Sequence, residues 1–366
     1  MGMLLAEVPH PQEDLSCGRP EVLSIAEPLA GGKVPRMSRV VLVLGTGSIG
    51  MRHLTVLSGL EGIVPVAVPV RPAKVATLRA EGRQAAPLDD ALAMSPVAAI
   101  VATDTGRHVA DTTTLLRHGC HVLTEKPLSP TTDGLAELAR LRHERQRSVF
   151  VACCLRFHPG LRRFKDELGS IGPVHHVRIE CQSHLPDWRP GVDHRTTYAA
   201  RADEGGVLRD LIHEIDYASW IFGRPASVLA TLTPGDSLGI ASEAAADLMW
   251  QAGGATIVIR LDYLTRESRR RMTAFGRNGE ITWDAIANTV SVKMHSEGAR
   301  VYDVVFDRNS MMRAQAQTFL AAAADAAADD ALATFDDGAF AVAVCDAART
   351  SASSRRSEPV ADWRTK

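Results

Sequence analysis

An α/β domain followed by an α+β domain on a mostly antiparallel sheet is the fold class that the sequence predicts. Three observations carry it. A short apolar strand, Val40–Leu44, runs straight into Gly45-x-Gly47-x-x-Gly50 and then into an amphipathic stretch. Strand-like and helix-like stretches alternate from Arg39 to about residue 150. After Phe150 the texture changes to short strands separated by turns. Alternation of the two periods argues for a parallel sheet with helices on both faces, and runs of strands argue for an antiparallel one. A chain of 366 residues also exceeds one typical core, so two domains are expected.

Taken in order, residues 1–38 carry prolines and glycines without a sustained period and read as a disordered extension. The strand Val40–Leu44 and its glycines then match what a dinucleotide pyrophosphate requires. Gly45 permits the tight turn, Gly47 lets the backbone approach the phosphates, and Gly50 lets the next helix pack close to its strand. Ser48 and Ile49 open that helix, whose N-terminus faces the anion. Ile49, Leu54, Leu57 and Leu60 recur at near-helical spacing and make Met51–Leu60 a helix. A strand-to-helix turn with no ligand is the bland alternative. Its setting between strand and helix favours the Rossmann type of dinucleotide fold.

The second strand, within Ile63–Val70, usually ends in an acid that binds the adenosine ribose, but here Arg71 follows. An arginine attracts a 2′-phosphate, so the lean is to NADP over NAD. Ala98–Thr103 is a further strand, and a helix from about Arg107 to His118 stops at Gly119. His121–Thr124 is the next strand and leads into Glu125-Lys126-Pro127, followed by a helix over Leu135–Arg147. Strand C-terminal ends line the ligand crevice of such sheets. There Lys126 can hydrogen-bond a substrate hydroxyl, and Glu125 can accept from ribose hydroxyls. Read alone, Glu-Lys-Pro is more often a surface turn.

Beyond Phe150, strands are expected at Val174–Cys181, Ser227–Leu232, Ala255–Leu261, Arg271–Phe275, Glu280–Trp283 and Thr289–Lys293. One convincing helix, Val207–Phe222, interrupts them, and a last helical stretch covers Ala339–Ala348. The tail after Ser351 is polar and expected to fray. The expected domains are 39–150, 151–335, and 336–366 as a helix packing back on the first domain plus a tail.

Hydrophobic residues make up 45% of the chain and charged ones 23%, an ordinary globular composition. The net charge of −2 supplies no field for a polyanion, so nucleic acid is not an expected partner. Six cysteines without a repeated CxxC fit reduced, buried thiols of a cytoplasmic protein. No apolar run approaches the ~20 residues of a membrane span, and neither membrane nor metal is expected.

The stretch from Gly205-Gly206 to Tyr217 is the most telling constellation. On a single helix, Leu208, Leu211, Ile212 and Ile215 fall on one side, and Asp210, His213, Glu214 and Tyr217 on the other. Asp210 and His213 are neighbours at i,i+3, and a carboxylate beside an imidazole orients a general base. A solvated polar face explains the same pattern. His213-Glu214 lacks the second histidine of a metalloprotease helix, so zinc is not supported. Upstream, His184 to Arg201 is rich in arginine and aromatic residues. Arg156, His158, Arg195 and Tyr198 could bind a carboxylate or phosphate of a substrate there, with Trp188 beside them. A solvated loop accounts equally for that composition.

The chain resembles the Gfo/Idh/MocA oxidoreductases over nearly its whole length after residue 38. The matching pieces are Gly45-x-Gly47-x-x-Gly50 with Arg52-His53, Ala102-Thr103 followed by His108, and His121 through Leu128. Arg156-Phe157-His158-Pro159 and Gly205-Gly206 through Trp220 complete the set. The resemblance implies a Rossmann domain joined to a domain with a large open sheet. It also implies NAD(P)-linked redox chemistry on a sugar, cyclitol or related polyol, with Thr103 and His108 near the cofactor and a homodimer or homotetramer as the assembly. Lys126 matches the family's catalytic lysine, His213 its acid/base histidine, and Asp210 the aspartate before that histidine. The family most often spaces those two by four, whereas here they are three apart. Asp104 stands where many members carry proline. Asp210 through Tyr217 resembles a sub-branch of surface-sugar and nonulosonic-acid pathways. An NAD-dependent lyase or glycosidase using transient oxidation, or a cofactor sensor without catalysis, are the competing readings.

Overall fold

The computed structural model describes residues 39–365 apart from 297, 327 and 328, so the expected N-terminal extension lies outside the described residues. The chain forms two compact units. The first holds the described residues through Phe157, then Asn309–Ala343 and the chain end from Asp362. The second holds His158–Arg308 and Val344–Ala361.

The first unit begins with β1 (Arg39–Leu44), α1 (Ser48–Ser58), β2 (Ile63–Val68), α2 (Lys74–Ala80) and α3 (Leu88–Leu92). It continues with β3 (Ala98–Val101), α4 (His108–Arg117), β4 (His121–Thr124), α5 (Leu135–Glu144) and β5 (Val149–Val151). All strands are parallel, in the order β2-β1-β3-β4-β5. Val41 to Val43 and Ala98 to Val101 are fully buried, as strands covered on both faces must be. The strand order reverses between β1 and β3. That is the switch point where ligands bind in open α/β sheets, at the carboxyl ends of the strands. Gly45, Ala102 and Glu125 follow directly on such ends, with Lys126 next after Glu125.

The second unit runs α6 (Pro159–Glu167), β6 (Val174–Gln182), α7 (Val207–Asp210), α8 (His213–Phe222), β7 (Ser227–Pro234) and β8 (Glu243–Ala252). β9 (Ala255–Asp262), β10 (Arg269–Gly276), β11 (Gly279–Asp284), β12 (Thr289–Met294) and β13 (Gly298–Asp303) follow. After them in the chain come α9 (Arg308–Ala322), α10 (Phe335–Ser354) and β14 (Glu358–Pro359), of which this unit holds the second half of α10 and β14. The sheet is nine-stranded, in the order β13-β12-β11-β10-β6-β9-β8-β7-β14, and only β6 and β9 pair in parallel. Burial alternates along β9 and β11, so one face of the sheet carries the core.

Several elements differ from the expectation. α9 and the first half of α10 belong with the first unit, which also reaches past residue 150 to Phe157. Phe319 of α9 meets Phe150 edge-on at 6.2 Å, and Gly338 of α10 comes so close to Val151 that a methyl group would collide. β8 escaped notice because Ala244-Ala245-Ala246 reads as helix former rather than strand. All three alanines are fully buried, and tertiary packing overrides the local preference. The tail after Ser351 does not fray: Glu358 and Pro359 pair with β7, and Trp363 is buried edge-on against Phe335. The five described cysteines are buried, and none of them forms a disulfide among the described residues. No described helix is long and apolar enough to cross a membrane.

Candidate active site

In the first unit the glycines divide the work of the turn after β1. Gly45 has φ of +91°, and a Cβ there would strike the carbonyl of Ala102. A Cβ on Gly50 would strike the carbonyl of Gly45. Both are therefore needed for the backbone to close on itself. Gly47 is different: it is exposed, and a Cβ there would meet nothing within 4 Å. The free space lies in front of the N-terminus of α1, which has no side-chain cap and no acid in its first turn. An uncapped helix start beside open space suits a phosphate anion. Gly45, Gly47, Ser48, Ile49 and Gly50 thus fit a dinucleotide. Arg71 is exposed just past β2.

The segment after β4 is held from behind. Lys126 and Pro127 are joined by a cis peptide bond, and Lys126 is 9% exposed. Glu125 has partners within the unit. Its Oε1 lies 2.8 Å from Nε2 of the buried His53 on α1, and its Oε2 accepts from the Lys126 amide at 3.3 Å. His108 does not reach outward. Its ring nitrogens lie 2.8 Å from the Pro127 carbonyl and 3.1 Å from that of Thr103. Burial pushes its pKa down against the pull of those carbonyls. His108 is a strut between two strand ends, with no ring nitrogen left for a cofactor. The Thr103 hydroxyl donates to Asp111 at 2.7 Å, and Arg107 holds the same carboxylate.

In the second unit the expected single helix is two. α7 ends at Asp210, Leu211 leaves helical geometry at ψ of 29°, and α8 restarts at His213. The side chains on the two sides of the break reach different strands. Asp210 accepts a 2.6 Å hydrogen bond from Tyr263 at the end of β9, and Glu214 accepts one of 2.7 Å from Arg270 on β10. The expected solvated face is therefore absent. Asp210, His213, Glu214, Asp216 and Tyr217 are all buried. The Gly205-Gly206 pair is required by the backbone: a Cβ on Gly205 would hit the carbonyls of Tyr198 and Ala199, and Gly206 has φ of +95°.

A small pocket opens at Asp210, with Leu185, Trp188, Arg189, His194 and Tyr198 among its walls. Trp188 meets Tyr263 edge-on at 5.3 Å and donates from Nε1 to Ser183 Oγ at 2.8 Å, which fixes the indole as a wall. Two expected wall residues, Trp188 and Tyr198, are thus gathered with Asp210. The expected anion binders are placed otherwise. Arg195 is exposed and donates in a two-pronged pair to the two oxygens of Asp193 at 2.8 and 2.9 Å, which draws the Asp193 carboxyl down to about 2. Arg156 belongs to the first unit, where it is buried and pairs with Asp337 at 3.4 Å. His158 caps α6 by accepting from the Gly160 amide at 3.1 Å, between Trp283 and Phe306. Burial, with the Arg270 charge second, lowers its pKa to about 3. Among the described residues no cluster of His, Cys, Asp or Glu could hold a metal.

Sequence reasoning missed Tyr263, Arg270 and the pairing role of His53. Tyr263 and Asp210 lie 53 residues apart, and no local period links them. Arg270 is hidden inside a run of three arginines whose neighbours, Arg269 and Arg271, face out.

These features agree with the comparisons with known proteins. Residues 39–153 match the model for the NAD-binding Rossmann fold of an oxidoreductase family. Residues 167–282 match the GFO/IDH/MocA C-terminal domain. The chain belongs to the GFO/IDH/MocA oxidoreductases. It is 28% identical over 344 residues to the myo-inositol dehydrogenase Hyg17 of Streptomyces leeuwenhoekii, across 88% of this chain and 99% of that one. A solved levoglucosan dehydrogenase in complex with NADH and levoglucosan superposes with a TM-score of 0.77 at 18% identity, over 88% of this chain and 100% of that one. An oxidoreductase from Agrobacterium radiobacter in complex with NAD+, L-tartaric acid and magnesium gives 0.77 at 17%, over 88% and 99%. At such identities the solved structures speak for the fold.

Proposed function

We propose that this chain is an NAD(P)-dependent dehydrogenase of a hydroxyl carbon in a sugar, sugar acid or cyclitol. The observation that carries the reading is the pocket wall just before His213. There a carboxylate held in place by Tyr263 stands beside a fixed indole. A carboxylate accepts from hydroxyl groups, and an aromatic face packs on the C–H face of a sugar ring. The relation to a myo-inositol dehydrogenase supports the same substrate class.

In this reading the glycine turn and the start of α1 hold the cofactor, which when bound supplies the hydride chemistry. Lys126 hydrogen-bonds a substrate oxygen and stabilises its developing charge. His213 exchanges the hydroxyl proton as general base or acid. Asp210 accepts from a second hydroxyl. Should the substrate be an acid, the pocket offers Arg189 as its partner, because Arg156 and Arg195 already serve Asp337 and Asp193.

The test is stoichiometric change in reduced-nicotinamide absorbance with a panel of inositols, hexoses and hexuronates. A lyase or glycosidase would consume substrate with no net change in that absorbance. His213→Ala and Lys126→Ala should each lower turnover about 10²-fold or more, the usual scale of a positioned acid/base group. Near-normal turnover in His213→Ala would remove that residue from the mechanism.

A further inference from the structure

We propose that the buried Glu214–Arg270 ion pair is a positioning device for His213, fixing the start of α8 against the sheet. The proposal rests on the role of His213 given above. Four observations lead to it. α8 begins at His213 itself, right after the break at Leu211, and its N-cap Ile212 provides no side-chain hydrogen bond. Such a start lacks the usual group that would fix where the helix begins. The next residue, Glu214, is fully buried and accepts from Arg270 Nε at 2.7 Å, with Arg270 only 3% exposed. Arg270 is the register partner of Cys181 on β6, so the carboxylate's partner belongs to a central pair of strands. One turn on, Tyr217 Oη stands 3.5 Å from the same Glu214 oxygen.

The energetics say what such a pair is for. Removing two charges from water costs about as much as their attraction returns, and well-packed apolar residues in their place are often no less stable. A buried pair is therefore a weak stabiliser. What it supplies is a single allowed arrangement, because an Nε–H pointed at one carboxylate oxygen fixes direction as well as distance. An apolar contact tolerates a slide of a fraction of a turn. A slide of α8 would rotate and shift the imidazole of His213, and misplacement by about 1 Å can cost 10²-fold in rate. The pair thus occupies the one place where a fixed register matters to the proposed chemistry.

The experiment follows His213 directly. The full chain is prepared with ¹³C-labelled histidine, and the His213 ring signal is assigned by its loss in His213→Ala. The double variant Glu214→Met, Arg270→Met removes both charges together and is expected to keep the melting temperature of the parent. Its His213 signal should move or split into several. Arg270→Lys keeps the charge while losing the directed Nε–H, and it serves as the second probe should the double variant not fold. It too should displace the His213 signal. A His213 signal that superimposes on the parent's in whichever of these variants folds overturns the positioning role. That outcome is separate from the turnover of His213→Ala. Normal turnover there overturns the assignment of His213, and the proposal falls with it.

Discussion

In the first unit the residues a dinucleotide needs are glycines, whose value lies in having no side chain. In the second unit the groups around the helix break, Asp210, His213 and Glu214, are buried polar side chains. Gly45 and Gly50 matter because a methyl group would strike a backbone carbonyl, and Gly47 because it leaves space in front of a helix. Asp210, His213 and Glu214 matter through what surrounds them, and their partners come from β9 and β10. A site made of backbone is encoded within a few consecutive residues. A site made of paired side chains is encoded across more than fifty.

The sharpest way to break this contrast is to add one methyl group at two places in the same turn. Gly50→Ala places a Cβ on the carbonyl of Gly45, a backbone atom that cannot step aside. The expected loss of stability is about 3 kcal/mol or more, at the upper end for point mutants. Gly47→Ala adds the same methyl where φ is −75° and nothing lies within 4 Å. Its melting temperature should be unchanged or slightly raised. Its dissociation constant for NADH, read by fluorescence titration, should rise about tenfold or more, since the methyl occupies the approach of the pyrophosphate. Equal effects at the two positions would show that the turn is structural and holds no cofactor.

That asymmetry explains how much could be read beforehand. The strand, the glycines and the helix after them are contiguous, so the first fold and its ligand class were legible from eleven residues, Val40 to Gly50. The cut between units was less so, because α9 and half of α10 return to the first unit through contacts such as Phe150 with Phe319. In the second unit Lys126-like clarity was absent. The i,i+3 spacing of Asp210 and His213 suggested a pair on one helix, yet the chain breaks between them and Asp210 turns to Tyr263. Arginines suggested anion binding, but a local sequence does not say which are already matched by Asp193 or Asp337. Period and propensity report on neighbours along the chain; pairing across a sheet is set by the fold.

Arg71 sharpens the comparison on the side of the first unit. It is a side chain whose proposed task can be read without any partner, because it is exposed at the end of the second strand in place of an acid. NADPH should bind more tightly than NADH. Arg71→Ala should weaken NADPH about tenfold or more, the scale of a charge-assisted hydrogen bond, and leave NADH nearly unchanged. A clear preference of the parent protein for NADH in the same titration would rule this out.

The second unit should also betray its buried side chains through acid. His158 is held neutral, with its pKa lowered to about 3 by burial and then by Arg270. In the unfolded chain an ordinary histidine takes up a proton below about pH 6.5. Between those two values the unfolded state binds a proton that the folded state refuses. Stability should therefore fall as pH drops from 6.5 toward 3, by about 1.4 kcal/mol per pH unit for this one group. His158→Asn keeps an acceptor for the Gly160 amide at the start of α6 and removes the titration. Urea titrations between pH 7 and 5 should show the slope reduced by about one proton, and an unchanged slope would mean that His158 is not buried neutral.

The smallest expected effect is the most specific. Tyr263→Phe removes a single hydroxyl from a ring that is fully buried and packed edge-on against Trp188, so the shape of the pocket wall is kept. What is lost is the 2.6 Å hydrogen bond to Asp210. Loss of a hydrogen bond to a charged group costs about 1.5–3 kcal/mol where no water can replace it, and less where the pocket admits one. Asp210 lines the pocket, so water can enter, and the lower end is expected for stability. The consequence for function is larger than that for folding, because a carboxylate free to turn no longer presents its second oxygen at a fixed angle. KM for the best polyol should rise several-fold while cofactor affinity stays as it was, since the glycine turn is untouched. If Tyr263→Phe matched the parent in KM, Asp210 would need no support to hold its place. The case for a hydroxyl-reading acid in this pocket would then rest on Trp188 alone.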